Sequence, residues 1–225
     1  MSEAGPWSLF MRAQRLARAL LKGYWYRFYF RLLGKRFSAG RNFRCFGSIV
    51  FRGAGLLAFG EDVVLLGRVT PFTHSSRAEI RVGDRVRMDG VRFGCMERIT
   101  VGNDSMLAEC HIIDTDFHST RIDRRTNPKA PIRTAPIVIE ENVWISEGVG
   151  ILPGAWIGAN SVVGIRAVCV RRYPPNSILF GNPAAVVAAV PQVPADDENE
   201  VASNPTAMFE PRPARRTPSG QGPIA

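Results

Sequence analysis

Three histidines, His74, His111 and His118, are the side chains of this sequence best suited to proton transfer near neutral pH. His118 stands in the run Asp114-Thr115-Asp116-Phe117-His118-Ser119, so two carboxylates lie within four positions of it. A neutral imidazole can take the proton of a hydroxyl, and Asp114 or Asp116 could orient the ring or hold hydroxyls. His111 falls at the fifth place of a six-residue unit, where a structural role is favoured. His74 lies in an irregular stretch and is given no role. The four cysteines, Cys45, Cys95, Cys110 and Cys169, are scattered, with no CxxC pair to suggest a zinc or redox centre. They read as small buried hydrophobes in a reducing cytoplasm.

The elements that position these groups follow from one repeat. Ile139, Ile145, Ile151, Ile157, Val163 and Cys169 recur every six residues. Four places after the first five come Val143, Val149, Ala155, Ser161 and Ala167. Six is neither a helical nor a strand period, and a fixed repeat outranks local propensity. It makes one flat side of a coil, with three sides to a turn of about 18 residues, so the fold class is an all-β solenoid, a parallel β-helix. A run of βαβ units is excluded because residues 137–170 hold no helical stripe long enough for a crossover.

Earlier coils are less regular. Phe59, Leu65, Val82, Met88, Val101 and Leu107 open further hexads, and residues 94–100 add one residue as a bulge. Residues 114–136 break the period, with Pro128, Pro131 and Pro136 in a polar, basic run. This is a loop thrown out of the solenoid, with His118 at its start and Arg133 near its end. Loops on one face of a repeat protein often form the binding face. After the repeat, Tyr173-Pro174-Pro175 cannot continue a ladder. Residues 177–180 suit a last strand, and residues 184–190 a short helix or cap.

The chain has 225 residues, 45% hydrophobic content and a net charge of +9, enough for one domain plus tails and suited to anionic partners. No run is apolar enough to span a membrane, and no signal peptide is recognisable. Residues 1–42 form a basic, aromatic helical segment, expected to be helical up to Lys22 and interrupted at Gly23. From Arg12 to Arg36 it carries no acidic residue. That composition suits either an interfacial helix on an anionic bilayer or a cap on the solenoid end; large apolar residues disfavour a nucleic-acid arm. Residues 43–190 are assigned to the solenoid and 191–225 to a disordered, Pro-rich tail.

The hexads, Asn142-Val-Trp-Ile, residues 151–164 (ILPGAWIGANSVVG) and residues 173–187 (YPPNSILFGNPAAVV) resemble the hexapeptide-repeat acyltransferases over roughly residues 80–187. The ending is similar to that of the sugar and polysaccharide O-acetyltransferases. The resemblance implies left-handed coils, a homotrimer with sites between subunits, acetyl-CoA as co-substrate, a sugar or glycan hydroxyl as acceptor, and no metal. It makes His118 the general base, with Asp89, Asp114, Asp116 and Arg133 as acceptor ligands. It places CoA along Trp144, Ser146, Ile165, Arg166, Arg171 and Asn182. Relatives keep glycines where this chain reads Gly164-Ile165-Arg166-Ala167, and a basic residue where it has Ala185.

Two other readings share the solenoid. A γ-carbonic-anhydrase-like zinc enzyme uses three histidines, but its later ligands lie closer together than His111 and His118. A non-catalytic scaffold held at the membrane by the basic segment would need no base at the loop mouth. An intact His118 favours the acyltransferase, working in the cytoplasm at the inner face of the membrane.

Overall fold

The computed structural model describes residues 6–192, with side chains from Phe10 onward. One helix, Pro6–Leu32, is followed by short strands that wind round three parallel sheets. The first sheet has seven strands, from Arg36–Ala39 to Arg172–Tyr173. The second runs from Arg44–Cys45 to Ser177–Phe180, and the third from Ser48–Ile49 to Val168–Cys169. Each coil visits the sheets in that order, so the solenoid is a three-sided prism.

The hexad residues stack as the period requires. Leu107 pairs with Ile145, Ile145 with Val163, and Val163 with Leu179 on the second sheet. Ile112, Ile151 and Cys169 do the same on the third. These side chains are buried in one continuous core, whose transfer from water is the main stabilising term. Intervening residues point outward, so each strand is read alternately inside and outside.

The corners demand unusual backbone. Between the first and second sheets, Asn42, Asp62, Arg85, Asp104, Asn142, Asn160 and Asn176 all have φ between 54° and 59°. Asn and Asp tolerate this left-handed region better than other residues with a Cβ. They also bond along the corner: Asn142 Nδ2 donates to Asn160 Oδ1 at 2.9 Å, and Asn160 Nδ2 to Asn176 Oδ1 at 3.1 Å. Between the second and third sheets the matching positions are Gly90, Glu109, Gly148 and Arg166, again at positive φ.

Three expectations change. The N-terminal helix does not stop at Gly23, because there the glycine has no room for anything else: a Cβ would meet the Phe43 carbonyl oxygen at 2.4 Å. Ala19, Gly23, Tyr26 and Phe30 form the face turned to the solenoid, at helical spacing. Phe30 packs 4.9 Å from Phe37 and 5.7 Å from Phe51 between ring centroids. Tyr26 Oη accepts the Ile49 amide, and Lys22 and Arg27 donate to the carbonyls of Gly47 and Gly40. The helix therefore caps the open end of the core. Second, the first coil begins at Arg36, before the boundary at residue 43 expected from the repeat. Third, Ala185–Ala189 is a strand, not a helix; it runs antiparallel to Ser177–Phe180 and covers the last edge of the second sheet. β-branched Val186 and Val187, between Pro183 and Pro191, favour that extended form. The expected disordered tail lies, apart from Pro191 and Gln192, outside the described residues.

Candidate active site

The loop carrying His118 leaves the third sheet after His111–Ile113 and returns to the first at Ile137–Ile139. Its neck is pinched shut. Thr115 and Thr134 form an antiparallel bridge, the Asp116 amide donates to Arg133 O at 3.0 Å, and the Ala135 amide to Asp114 O at 3.0 Å. The loop body folds on Asp123, which accepts from Arg121 at 2.9 and 3.0 Å and from Asn127 at 2.8 Å. These bonds, the largest being that from Asn127, hold the Asp123 carboxyl below its ordinary pKa.

His118 is exposed and stands at the end of a three-residue turn. Its amide donates to Asp116 O at 2.7 Å, and the central residue, Phe117, has φ 59°. A γ-turn of this hand is rare and strained, and an aromatic residue at positive φ is an outlier. Something must hold it. The Phe117 ring lies over Gly94, where a Cβ would meet Phe117 Cζ at 2.7 Å, and edge-on to His74 at 4.5 Å between centroids. His74 is packed in turn on Phe72, 3.9 Å away. Burial lowers the His74 pKa, against the pull of Asp114, and its Nε2 is buried without a partner. His74, given no role from the sequence, thus belongs to the support beneath His118. His118 also lines a cavity of about 410 Å³ with Ser119, Arg124, Arg125, Asn127 and Ile132.

The carboxylates divide. Asp116 remains beside His118 in the turn. Asp114 is fully buried, and its oxygens accept the amides of Met96, Glu97 and Arg98 at 2.6, 2.8 and 2.9 Å. The Cys95 thiol lies 3.4 Å away, its pKa pushed up by burial and then by Asp114. With its lone pairs so engaged, Asp114 shapes the bulge of the coil below and does not face an acceptor. Arg133 is exposed; its Nη2 donates to Pro153 O at 2.9 Å and ties the loop's return to the solenoid. His111 points outward from the third sheet, beside Arg92 and Gly150, and not inward.

The remaining residues lie elsewhere. Asp89, Trp144, Ser146 and Gly164 belong to the outer face of the second sheet or its edge. Trp144 is half-exposed and lines a cavity of about 280 Å³ with Asp89, Met106 and Ala108. Ile165 and Arg166 turn the adjoining corner, both exposed. Arg166 takes φ 56°, and its side chain crosses the corner over Gly148, where a Cβ would meet Arg166 Cγ at 2.9 Å. The Ser146 and Arg166 amides, expected to hold a ligand, already donate to Val163 O and Glu147 O at 3.0 Å each. Arg171 is also committed: it donates to Ala184 O at 3.1 Å and lies over the Tyr173 ring. Asn182 is exposed in the turn before the last strand.

The prism separates these two groups. The loop leaves the corner where the third sheet meets the first, and the second sheet is the side opposite that corner. Within one chain His118 and Trp144 cannot meet across the core. Among the described residues no three His, Cys, Asp or Glu side chains gather as a metal-ligand group.

No protein-family model matches the chain. Curated relatives do. WbbJ of Escherichia coli, provisionally named a lipopolysaccharide biosynthesis O-acetyl transferase, is 29% identical over 144 residues, 60% of this chain and 73% of that protein. The galactoside O-acetyltransferase of Lactococcus lactis is 39% identical over 88 residues, 39% of this chain and 42% of that protein. Apart from WbbJ, these matches span only 37% to 61% of each relative's length. Among solved structures, AntD, an N-acyltransferase from Bacillus cereus in complex with dTDP and 3-hydroxybutyryl-CoA, superposes with a TM-score of 0.63. It is 16% identical, covering 82% of this chain and 97% of that one, a likeness that carries the fold, a left-handed β-helix. In sequence the chain is thus similar, over part of its length, to proteins named as sugar O-acetyltransferases, and in fold to hexapeptide-repeat acyltransferases.

Proposed function

We propose that the protein moves an acetyl group from acetyl-CoA to a hydroxyl of a sugar or glycan, with His118 as general base. The observation that carries this reading is the strained turn at Phe117, pinned on Gly94 and His74, which fixes a solvent-facing imidazole at the loop mouth. Strain kept at an exposed position points to use. His118 takes the acceptor hydroxyl's proton as the oxygen attacks the thioester carbonyl. The tetrahedral intermediate expels CoA thiolate, which receives that proton. The products are an acetyl ester and CoA, with no enzyme-bound intermediate.

Because the loop and the second-sheet face lie on opposite sides of one prism, the site needs a second copy of the chain. A homotrimer lays the loop of one subunit over the neighbour's Trp144 and Asp89. Trp144 then flanks pantetheine, Arg166 takes the place of the usual basic residue toward the CoA phosphates, and Asp89 and Asp116 bind acceptor hydroxyls. The acetylated sugar is read by mass after incubation of the full chain with acetyl-CoA and a panel of glycans. Hydrolysis of acetyl-CoA with no acetylated product for any glycan counts against this reading.

The N-terminal helix supports work at a membrane surface. Leu21, Trp25, Phe28 and Leu32 are exposed at helical spacing on the side away from the solenoid, with the exposed Arg18 and Arg31 near either end of the row. Aromatic rings and basic residues on one helix suit an anionic bilayer interface. No helix among the described residues is long and apolar enough to cross a membrane. Flotation with anionic liposomes tests this: Trp25→Ser with Phe28→Ser is expected to leave most protein unbound, and unchanged flotation would contradict it.

A further inference from the structure

Between the N-terminal helix and the second sheet lies a cavity of about 660 Å³ that none of the residues so far assigned explains. Arg12, Arg15, Arg44, Arg85 and Arg87 line it, against a single carboxylate, Asp62. Arg85 is paired with Asp104 at 2.6 Å, and Arg15 lies over the Phe46 ring. Arg12 and Arg87 make no side-chain ion pair or hydrogen bond among the described residues. Arg44 reaches the Asp62 carboxylate at 3.8 Å and donates to the Asp62 carbonyl at 3.4 Å, while its Nε is buried with no acceptor. Guanidinium groups gathered without counter-charges repel one another, and an anion relieves this.

The cavity continues into the one beneath Trp144, since Leu66 and Arg87 line both. Along the second sheet Arg87 pairs with Met106 and Met106 with Trp144, two strand spacings or about 10 Å. The groove is strongly basic at the helix end. Toward Trp144 it becomes apolar, with one acid, Asp89. An acidic polysaccharide would call for positive charge along its whole length; this groove concentrates it at one end. We infer that the groove binds a sugar diphosphate ester as acceptor, its diphosphate among the arginines and its sugar against Met106, Asp89 and Trp144. This rests on the sugar acetyl-transfer reading and names the acceptor class. The same chemistry is offered by a nucleoside-diphosphate sugar or by a polyprenyl-linked one.

Calorimetry on the full chain with inorganic pyrophosphate tests it. Arg12→Gln with Arg87→Gln is expected to weaken pyrophosphate roughly tenfold or more and to leave acetyl-CoA affinity unchanged. Arg68→Gln, on the third sheet, is expected to change neither. Competition by UDP-glucose or by farnesyl diphosphate supports the inference, and the tighter of the two identifies the source. No pyrophosphate binding, no effect of the double variant, or failure of both esters to compete overturns it. Displacement by CoA with the same sensitivity to the double variant also overturns it, since the arginines then serve the donor. These are binding measurements, so a chain that transfers no acetyl group to sugars leaves their outcome readable.

Discussion

At Asp114 a side chain chosen for chemistry turns out to hold the fold. Its carboxylate accepts three backbone amides at the bulge of residues 96–98 and is wholly buried. Asp114→Asn replaces one acceptor oxygen with a donor that faces those amides. It is expected to destabilise the chain by about 2–3 kcal/mol, read as a lower thermal midpoint. The sequence places Asp114 and Asp116 equally close to His118; only the direction of each side chain separates them, and that depends on a bulge one coil below. Phe117 is the opposite case, a residue given no role. Phe117→Gly relieves the positive φ but removes the ring that packs on Gly94 and His74. Turnover is expected to fall with little loss in thermal midpoint; unchanged turnover would show that the turn does not position His118.

The elements were legible where the hexad is strict. From Ile137–Ile139 to Val168–Cys169 every inward residue is the one the period names. The helix was legible in composition but not in extent, because a glycine reads as a helix breaker when its partner is unseen. Gly23→Ala sharpens the point. Helix propensity alone favours alanine by about 1 kcal/mol. The Phe43 carbonyl 2.4 Å from the added Cβ opposes it, so the substitution is expected to lower thermal stability. A rise would mean that the helix yields easily and is a weak cap. The arginine groove left its own trace: Arg44, Arg85 and Arg87 flank core residues Cys45 and Val86 and so must point outward. What the chain order hides is that Arg12 and Arg15 come to face them.

At the scale of the whole molecule, the three-sided solenoid puts the loop and the second-sheet face apart, so the proposed acetyl transfer requires assembly. His118→Ala and Trp144→Ala chains, each impaired alone, are expected to recover up to about a quarter of wild-type activity when co-assembled as random trimers. No recovery would place the whole site within one subunit. The period that builds the solenoid says nothing of this, because it repeats identically on sides that end up facing different partners. The most direct test of the central claim is thiol release from acetyl-CoA in the presence of a sugar acceptor, for wild type, His118→Ala and His118→Gln. Loss of the base is expected to slow transfer by roughly 10²–10⁴-fold in both variants, with acetyl-CoA affinity and thermal midpoint kept. Turnover equal to wild type in His118→Ala would contradict the assignment.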